Sequence, residues 1–329
     1  MRSFLAMTFM LFLACPVFAG SDSLHAHIAL PLPDKGIDDP IPQGDFEVLV
    51  IPLKRVQNLY MVEAKVDSVV GNFILDTGAP HLVLNKTYFN TGKSAPGSTQ
   101  YGITGGGNSV MNTTIDTLKV SELFYTRVDA DIVNLGHLEN ARGVKILGLL
   151  GTSLFSRIEM EIDMKNDLLY LYKTDEKGER LIPNNHTTPP DMQMPLDIVN
   201  DVLFIEGRIA NKKLRFCLDT GAERNVLSNT VSNKIISRFT LTKSSNLAGS
   251  GNSGQVVLNG VIDSVVTEGV SFTDMPFILT NLSYLELVYG TTVNGVLGYD
   301  YLSKGYAVIN MQKKLFSMYF YKPEEDDEP

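Results

Sequence analysis

The chain has 329 residues, of which 44% are hydrophobic and 20% charged, a composition typical of globular proteins rather than disordered or membrane proteins. Its length is sufficient for two domains, each with its own core. The net charge of −9 and the scattered Lys and Arg residues argue against nucleic acid as a partner, because phosphate binding needs clustered cations.

Residues 1–19 are predicted to form a secretory signal peptide. Arg2 precedes an apolar run from Phe4 to Ala14, Pro16 ends that run, and Val17-Phe18-Ala19 offers a small-residue cleavage site. The apolar run is too short to span a bilayer as a helix. We therefore expect an exported protein, either periplasmic or secreted; the alternative for this segment is a buried N-terminal helix.

A second interpretation of the N-terminus is a lipoprotein signal. Phe12-Leu13-Ala14-Cys15 loosely resembles a lipobox, which would attach a lipid to Cys15, although Phe12 stands where Leu is usual. Cleavage after Ala19 would instead remove Cys15 and leave Cys217 without an intramolecular partner. We expect Cys217 to serve as a small buried hydrophobe.

The remainder of the chain contains an internal duplication. Phe73-Ile74-Leu75-Asp76-Thr77-Gly78-Ala79 recurs as Phe216-Cys217-Leu218-Asp219-Thr220-Gly221-Ala222, 143 positions later. Gly148-Leu149-Leu150-Gly151 recurs as Gly295-Val296-Leu297-Gly298, 147 positions later. Segments before and after these also match at the same offsets and in the same order. The chain is therefore predicted to hold two copies of one unit.

Each copy has the pattern of β-strands. Polar and apolar residues alternate from Arg157 to Met164, and aromatic-rich runs occupy 168–172 and 315–320. Helical signals are brief, around 153–156 and 230–238. Both copies are therefore predicted to be mostly β.

Composition places the boundaries between these units. Residues 20–45 are rich in proline and are expected to form an extended lead-in to an N-terminal lobe at 46–173. The polar, proline-containing stretch 174–193 is predicted to be a linker, because the strand pattern stops there and resumes in a C-terminal lobe at 194–322. Residues 323–329 form an acidic tail.

The repeated Asp-Thr-Gly points to paired carboxylates. Asp76 and Asp219 each follow an apolar strand end, and Gly78 and Gly221 permit the tight turn that presents a side chain there. Two carboxylates brought face to face cannot both ionise cheaply, so the pair holds one proton between them. One member can then take a proton from water while the other donates one to a substrate carbonyl.

With Leu-Asp-Thr-Gly-Ala present twice, each followed by an apolar-apolar-Gly segment, the chain resembles retropepsin-type aspartic peptidases over roughly 46–173 and 194–321. The resemblance implies an all-β fold of two retropepsin/pepsin-like acid-protease barrel lobes in a pseudo-twofold arrangement. It assigns Asp76 and Asp219 as the catalytic pair. Since this chain carries both halves of a site usually built from two chains, we expect a monomer with an intramolecular pseudo-dimer.

The same resemblance implies supporting roles for residues around the aspartates. Thr77 and Thr220 would cross-brace the two loops, Gly78 and Gly221 belong to those loops, and Gly151 and Gly298 would close the chain beneath them. Glycine-rich stretches at 102–107 and 249–254 correspond to flaps that close over substrate. The polypeptide would bind under them as an extended strand. The expected substrate-binding residues are Ala79, Ala222, Ile103, Gly105, Gly249 and Gly251.

Two departures from the family pattern shape our expectations. Thr152-Ser153 and Tyr299-Asp300 stand where the retroviral enzymes carry an Arg, so their dimer-bracing network is not expected. Ala79 and Ala222 replace the Ser common in pepsins, which removes a hydroxyl that could favour the ionised aspartate. We therefore expect the pKa values of the pair to be higher and activity to reach weakly acidic or near-neutral pH.

Other motifs carry less weight. His25-Ala26-His27 has no acidic or Cys partners at ligand spacing, so no metal site is predicted, and the mechanism needs no cofactor. Gly249-x-Gly251-x-x-Gly254 matches a dinucleotide fingerprint but precedes a strand rather than a helix. His81 is expected at a surface or wall position, with contact to substrate as the alternative.

The sequence thus predicts an exported aspartic endopeptidase. The alternative is a non-catalytic peptide-binding or assembly protein of the cell envelope that retains the fold; two opposed buried carboxylates disfavour it, because a binding groove does not need them. A further alternative is that the two halves pair between chains rather than within one.

Overall fold

The structure is a computed structural model that describes residues 12–13, 39–90, 93–101, 107–183, 186–248 and 255–322. The predicted signal peptide lies outside these residues except for 12–13, as do most of the lead-in and the acidic tail at 323–329. Within the described ranges, no helix is long and apolar enough to cross a membrane.

The first repeat consists of β-strands with two short helices. A two-residue strand, β1 (Phe12–Leu13), precedes the repeat. The strands of the first repeat are β2 (Val48–Pro52), β3 (Lys54–Val56), β4 (Leu59–Val66), β5 (Val69–Leu75), β6 (Leu82–Asn85), β7 (Lys93–Tyr101), β8 (Gly107–Val120), β9 (Leu123–Val133), β10 (Gly148–Leu150), β11 (Ile158–Asp163) and β12 (Leu168–Lys173). Helix α1 (Gly136–Arg142) precedes β10, and a 3-10 helix (Thr152–Phe155) follows it.

The second repeat follows the same order. Its strands are β13 (Met192–Pro195), β14 (Asp197–Val199), β15 (Val202–Ile209), β16 (Lys212–Leu218), β17 (Asn225–Ser228), β18 (Phe239–Ala248), β19 (Gln255–Thr267), β20 (Val270–Thr280), β21 (Gly295–Leu297), β22 (Gly305–Asn310) and β23 (Leu315–Phe320). Its helices are α2 (Asn233–Ile236), α3 (Ser283–Tyr289) and α4 (Tyr299–Leu302). β1 pairs with β18 at the edge of this lobe.

Each repeat closes a six-stranded barrel. In the first, β4, β5, β10, β6, β9 and β8 pair in that order, and β8 returns to β4 where Lys65 lies opposite Lys119. In the second, β15, β16, β21, β17, β20 and β19 do the same, closing where Arg208 lies opposite Val266. Alternating side chains line the interiors, as in β4, where Ala64 is buried between the exposed Glu63 and Lys65.

A third sheet joins the lobes. Its order is β13-β23-β22-β11-β12-β2, so strands from both repeats contribute, and β11 pairs with β22 at its centre, with Met160 opposite Ile309. Because β11 and β22 are repeat equivalents, this pairing lies on the pseudo-twofold axis. The shared sheet fixes one barrel against the other.

These observations confirm the predicted all-β, two-lobe fold. Strands before the flaps correspond at an offset of 143 and those after them at 147, so the second repeat's four extra residues lie between β17 and β20. Helices α1 and α3 were not predicted, because each is only seven residues long and too short to show a clear helical period. β13 begins at Met192, inside the stretch 174–193 predicted to be a linker.

Candidate active site

Asp76 and Asp219 lie at the ends of equivalent buried strands. Strand β5 runs parallel to β10, and the amide of Asp76 donates to the carbonyl of Leu150 at 3.1 Å. Strand β16 runs parallel to β21 in the same way, and the amide of Asp219 donates to the carbonyl of Leu297 at 3.0 Å. The carboxyl end of each strand therefore projects its aspartate toward the boundary between the lobes.

Four hydrogen bonds between two threonines and the opposite strands join the aspartate loops. Thr77 Oγ1 donates to the carbonyl of Leu218 at 2.8 Å and accepts from the amide of Thr220 at 3.0 Å. Thr220 Oγ1 donates to the carbonyl of Leu75 at 2.8 Å and accepts from the amide of Thr77 at 3.0 Å. Both side chains are buried, so water does not compete for these bonds.

Gly78 and Gly221 allow the two carboxyl groups to approach each other. A Cβ atom at Gly78 would lie 2.6 Å from Cγ of Asp219, and one at Gly221 would lie 2.7 Å from Cγ of Asp76. Any side chain at these positions would displace the opposite aspartate. Each loop therefore packs against the carboxyl group of the other lobe.

Backbone amides orient each carboxyl group. Asp76 Oδ1 accepts from the amides of Gly78 at 2.9 Å and Ala79 at 3.1 Å. Asp219 Oδ1 accepts from the amide of Gly221 at 2.8 Å. Both Oδ2 atoms are buried, and neither receives a hydrogen bond from an N–H or hydroxyl group in the described part of the chain.

Burial raises the pKa of both aspartates. For Asp76, loss of solvation is the largest cause, and repulsion from the charge of Asp219 adds to it. For Asp219, loss of solvation outweighs the amide hydrogen bonds that favour the ionised form. Both side chains are fully buried, so the pair retains a proton at pH values where an exposed aspartate has lost it.

The glycines after β10 and β21 pack beneath the aspartate loops. A Cβ at Gly151 would lie 2.7 Å from the carbonyl oxygen of Ala79, and one at Gly298 would lie 2.3 Å from that of Ala222. The amides of the next residues, Thr152 and Tyr299, donate to the same carbonyls. The structure buries the side chains of Ala79 and Ala222 completely, so contact between these two residues and substrate stays a prediction.

The predicted flap residues Ile103, Gly105, Gly249 and Gly251 lie outside the described residues. The strands that lead to them are described. We call β7 with β8 the first flap hairpin and β18 with β19 the second flap hairpin. Each hairpin belongs to one lobe, as the repeat requires.

Two residues near the site were not identified from the sequence. Tyr289, at the end of α3, donates to the carbonyl of Gly78 in the other lobe at 3.3 Å. Arg142, at the end of α1, donates to Glu223 in the loop after Asp219. Since α1 and α3 correspond at an offset of 147, Arg142 and Tyr289 are repeat equivalents. That equivalence was available in the sequence, but their contacts were not.

Cys217 lies on strand β16, two residues before Asp219. It is buried and free, and burial raises the pKa of its thiol, with the nearby aspartates adding to the effect. Such a thiol stays protonated and packs as an apolar group. Within the described residues, no group of three or more His, Cys, Asp or Glu side chains is placed to hold a metal ion.

Comparisons with known proteins agree with this geometry. A family model described as aspartyl protease matches residues 62–154 and 205–301, one segment in each repeat. Among solved structures, the crystal structure of aspartic proteinase from Irpex lacteus superposes with a TM-score of 0.52 at 10% identity, covering 85% of this chain and 99% of that chain. At that identity the likeness concerns the fold alone. A search of curated proteins found no significant match.

Proposed function

The chain belongs to the aspartyl protease family, and on that premise we propose that it is an aspartic endopeptidase that hydrolyses peptide bonds with water activated between Asp76 and Asp219. The observation that carries this proposal is the approach of two fully buried carboxyl groups, each held at a strand end of a different lobe. Two carboxyl groups with only a structural role would destabilise the folded protein, because buried charge is strongly unfavourable.

The chemistry follows from one proton shared by two carboxyl groups. The ionised member accepts a proton from water, whose oxygen attacks the carbonyl carbon of the scissile peptide bond. The neutral member donates its proton to the carbonyl oxygen, which gives a tetrahedral gem-diol. As that intermediate collapses, the C–N bond breaks and the protonated aspartate gives its proton to the leaving nitrogen. A hydroxyl of the gem-diol returns a proton to the other aspartate as the carbonyl forms again. Neither a metal nor a cofactor takes part in these steps.

The amide hydrogen bonds leave one oxygen of each aspartate available for these steps. They reach Oδ1 of each aspartate, so each carboxyl plane is fixed while Oδ2 remains for the shared proton and the reacting atoms. The threonine bonds hold the two loops together, so the carboxyl groups need no reorganisation during the reaction.

We further propose that the substrate is a polypeptide bound as an extended strand between the two flap hairpins. Main-chain hydrogen bonds from a hairpin to such a strand would give affinity with little dependence on side chains. The two lobes offer different neighbours to it, since Pro80 follows the first loop and Glu223 occupies the repeat-equivalent position. Unequal preferences on the two sides of the scissile bond are expected.

Hydrolysis of an unfolded protein across about pH 3 to 8 tests the proposal. The wild-type chain should cleave it, and Asp219→Asn should lose the activity by at least about a thousandfold, because removing the carboxylate removes general acid–base catalysis. Asp263→Asn is the matched control, since Asp263 is half exposed on the outer surface of the second barrel. Cleavage that survives Asp219→Asn would contradict the proposed mechanism.

Failure of the wild type to cleave any substrate, from a folded monomer, would favour the non-catalytic peptide-binding protein instead. In that case Asp76→Asn should leave peptide affinity unchanged. Activity that falls on dilution would indicate a site formed between two chains.

We also propose that the protein is exported, on the strength of residues 1–19 alone. N-terminal sequencing and mass measurement of the mature protein test this. A mature chain that starts at Gly20 supports signal-peptide cleavage, a lipid on Cys15 supports the lipoprotein alternative, and an intact Met1 contradicts both.

A further inference from the structure

Three side chains form a hydrogen-bonded cluster between the Asp76 loop and the first flap hairpin. His81 Nε2 lies 2.6 Å from Asp131 Oδ2 on β9, and Asn112 Nδ2 on β8 donates to Asp131 Oδ1. The side chain of Asp131 is 2% exposed and that of His81 is 32% exposed. A buried carboxylate therefore connects the loop of a proposed catalytic residue to a flap strand.

The loop end of this cluster is fixed in place. The backbone of His81 packs against Gly151, where a Cβ atom would lie 2.6 Å from the His81 nitrogen. Strand β6, which begins one residue later, pairs in parallel with β9 and sets Val83 opposite Asp131. The flap end is Asn112, which lies opposite Asp131 across the antiparallel β8–β9 pair. The sheet register thus brings all three side chains together.

The second lobe is built differently at the equivalent positions. Arg224 stands in place of His81 and Asn259 in place of Asn112, but the buried Ile278 replaces Asp131. Arg224 instead pairs with Asp300 on α4, at 3.2 Å. The carboxylate that joins loop to flap is therefore a feature of the first lobe.

We propose that His81 is a positioning residue that holds the first flap hairpin against the Asp76 loop through Asp131, and that protonation of His81 controls how firmly the hairpin is held. The proposal rests on the proposed function, because a flap matters for catalysis only if the chain acts on a bound polypeptide. The proposal concerns the first flap hairpin alone. A change of pH would therefore alter substrate binding on one side of the scissile bond more than on the other.

Among the described residues, three acidic groups act on the charge of His81. They are Asp131 and Asp129 on β9, and Asp201 in the turn before β15 of the second lobe. Burial by itself lowers the pKa of His81, but these carboxylates, with Asp131 foremost, outweigh it and raise the pKa above the usual histidine value. The imidazolium then serves as the counterion of the buried Asp131.

The sign of the pH effect follows from this. The pKa of His81 is higher in the folded protein than in the unfolded chain. Protonated His81 therefore stabilises the folded protein fully at pH values below the unfolded-chain pKa of about 6.5. This stabilisation is lost as pH rises through the folded value, because His81 then becomes neutral and no longer serves as the counterion of Asp131. The first flap hairpin should therefore open more readily in mildly alkaline solution than in mildly acidic solution.

Hydrogen exchange of the amides in β8 tests the proposal on the full chain. Protection factors, corrected for the intrinsic pH dependence of exchange, should fall about three- to tenfold in the wild type between about pH 6 and pH 9. His81→Gln keeps a donor near Asp131 but cannot take a proton, so its protection factors should be lower at pH 6 and constant with pH. Arg224→Gln, at the equivalent position of the second lobe, should retain the wild-type pH dependence.

Asp131→Asn provides a second variant if His81→Gln folds poorly. It keeps the shape of the side chain but removes the charge, and the pH dependence of β8 protection above pH 6 should disappear. Wild-type pH dependence in both variants would overturn the proposal, as would constant protection in the wild type.

Peptide hydrolysis separates this inference from the proposed function. With increasing pH, KM of the wild type should rise several-fold more than KM of His81→Gln. The pH dependence of kcat that arises from the aspartate pair should be the same in both proteins. If no chain cleaves peptide, the proposed function fails, and the exchange experiment still decides whether His81 controls the hairpin.

Discussion

Arg142 of the first lobe and Glu223 of the second lobe form a buried ion pair across the lobe boundary. Their side chains are 1% and 7% exposed. Glu223 follows the Asp219 loop, and its carbonyl also accepts a hydrogen bond from Asn58 of the first lobe at 3.3 Å. Helix α1 thus supplies an arginine that braces the loop after Asp219.

Arg142→Met should destabilise the protein by about 3 kcal/mol at pH 7, because it leaves the Glu223 carboxylate buried without its partner. Burial already raises the pKa of Glu223, although Arg142 opposes the rise. Without Arg142 that pKa rises further, so the loss should be smaller at pH 5, where Glu223 is more readily protonated. Urea unfolding at both pH values measures this, and the double variant with Glu223→Gln should recover part of the stability. Equal losses at the two pH values would contradict the prediction.

Asp76→Asn should stabilise the fold at neutral pH. Both aspartates have a pKa raised by burial, so the folded protein binds more protons than the unfolded chain between about pH 4 and the raised values. Stability therefore falls as pH rises through this window, and removing one carboxyl group relieves the loss. We expect the free energy of unfolding of Asp76→Asn to exceed that of the wild type by about 1 to 3 kcal/mol at pH 7. This difference should shrink toward zero near pH 4. Thermal unfolding of wild type and variant across this range measures it. A gain that is the same at both ends would show that charge is not its cause.

Thr77→Val should lower the free energy of unfolding by about 2 kcal/mol and remove most of the peptidase activity. Valine has nearly the same shape but cannot donate to the carbonyl of Leu218 or accept from the amide of Thr220, and both partners are buried. Thr77→Ser keeps the hydroxyl and is the matched control, expected to lose much less of both. Denaturant unfolding with activity on one peptide separates the variants; if Ser is as damaging as Val, packing rather than hydrogen bonding holds the loops.

Gly78→Ala should abolish activity in a chain that still folds. Its Cβ would lie 2.6 Å from Cγ of Asp219, so the opposite carboxyl group must move, and a shift of this size separates the pair. Gly143→Asn is the control, because Gly143 ends α1 at φ 64° with no heavy atom within 4 Å of a Cβ there, and asparagine tolerates that backbone conformation. Circular dichroism confirms folding, and peptide hydrolysis gives the result. An active Gly78→Ala variant would argue against close approach of the two carboxyl groups.

The sequence alone determined that the chain is a duplicated β protein with one Asp-Thr-Gly in each copy. These features are local, because a strand end, a tight turn and a repeat offset are all written in consecutive residues. The pairing of Asp76 with Asp219 followed from the resemblance to a family and from the duplication. The brief helix near residue 153 was also visible in the local pattern.

The tertiary structure decided the contacts around that pair. Arg142 with Glu223, Tyr289 with Gly78, and His81 with Asp131 join residues that are 81, 211 and 50 positions apart. Their meeting depends on how the barrels close and on how the shared sheet sets one lobe against the other. Side-chain burial, which raises the pKa of the aspartates, likewise arises only when both lobes are packed. Local sequence encodes which groups a segment carries, and only the packing of the two lobes decides which of them lose water and face each other.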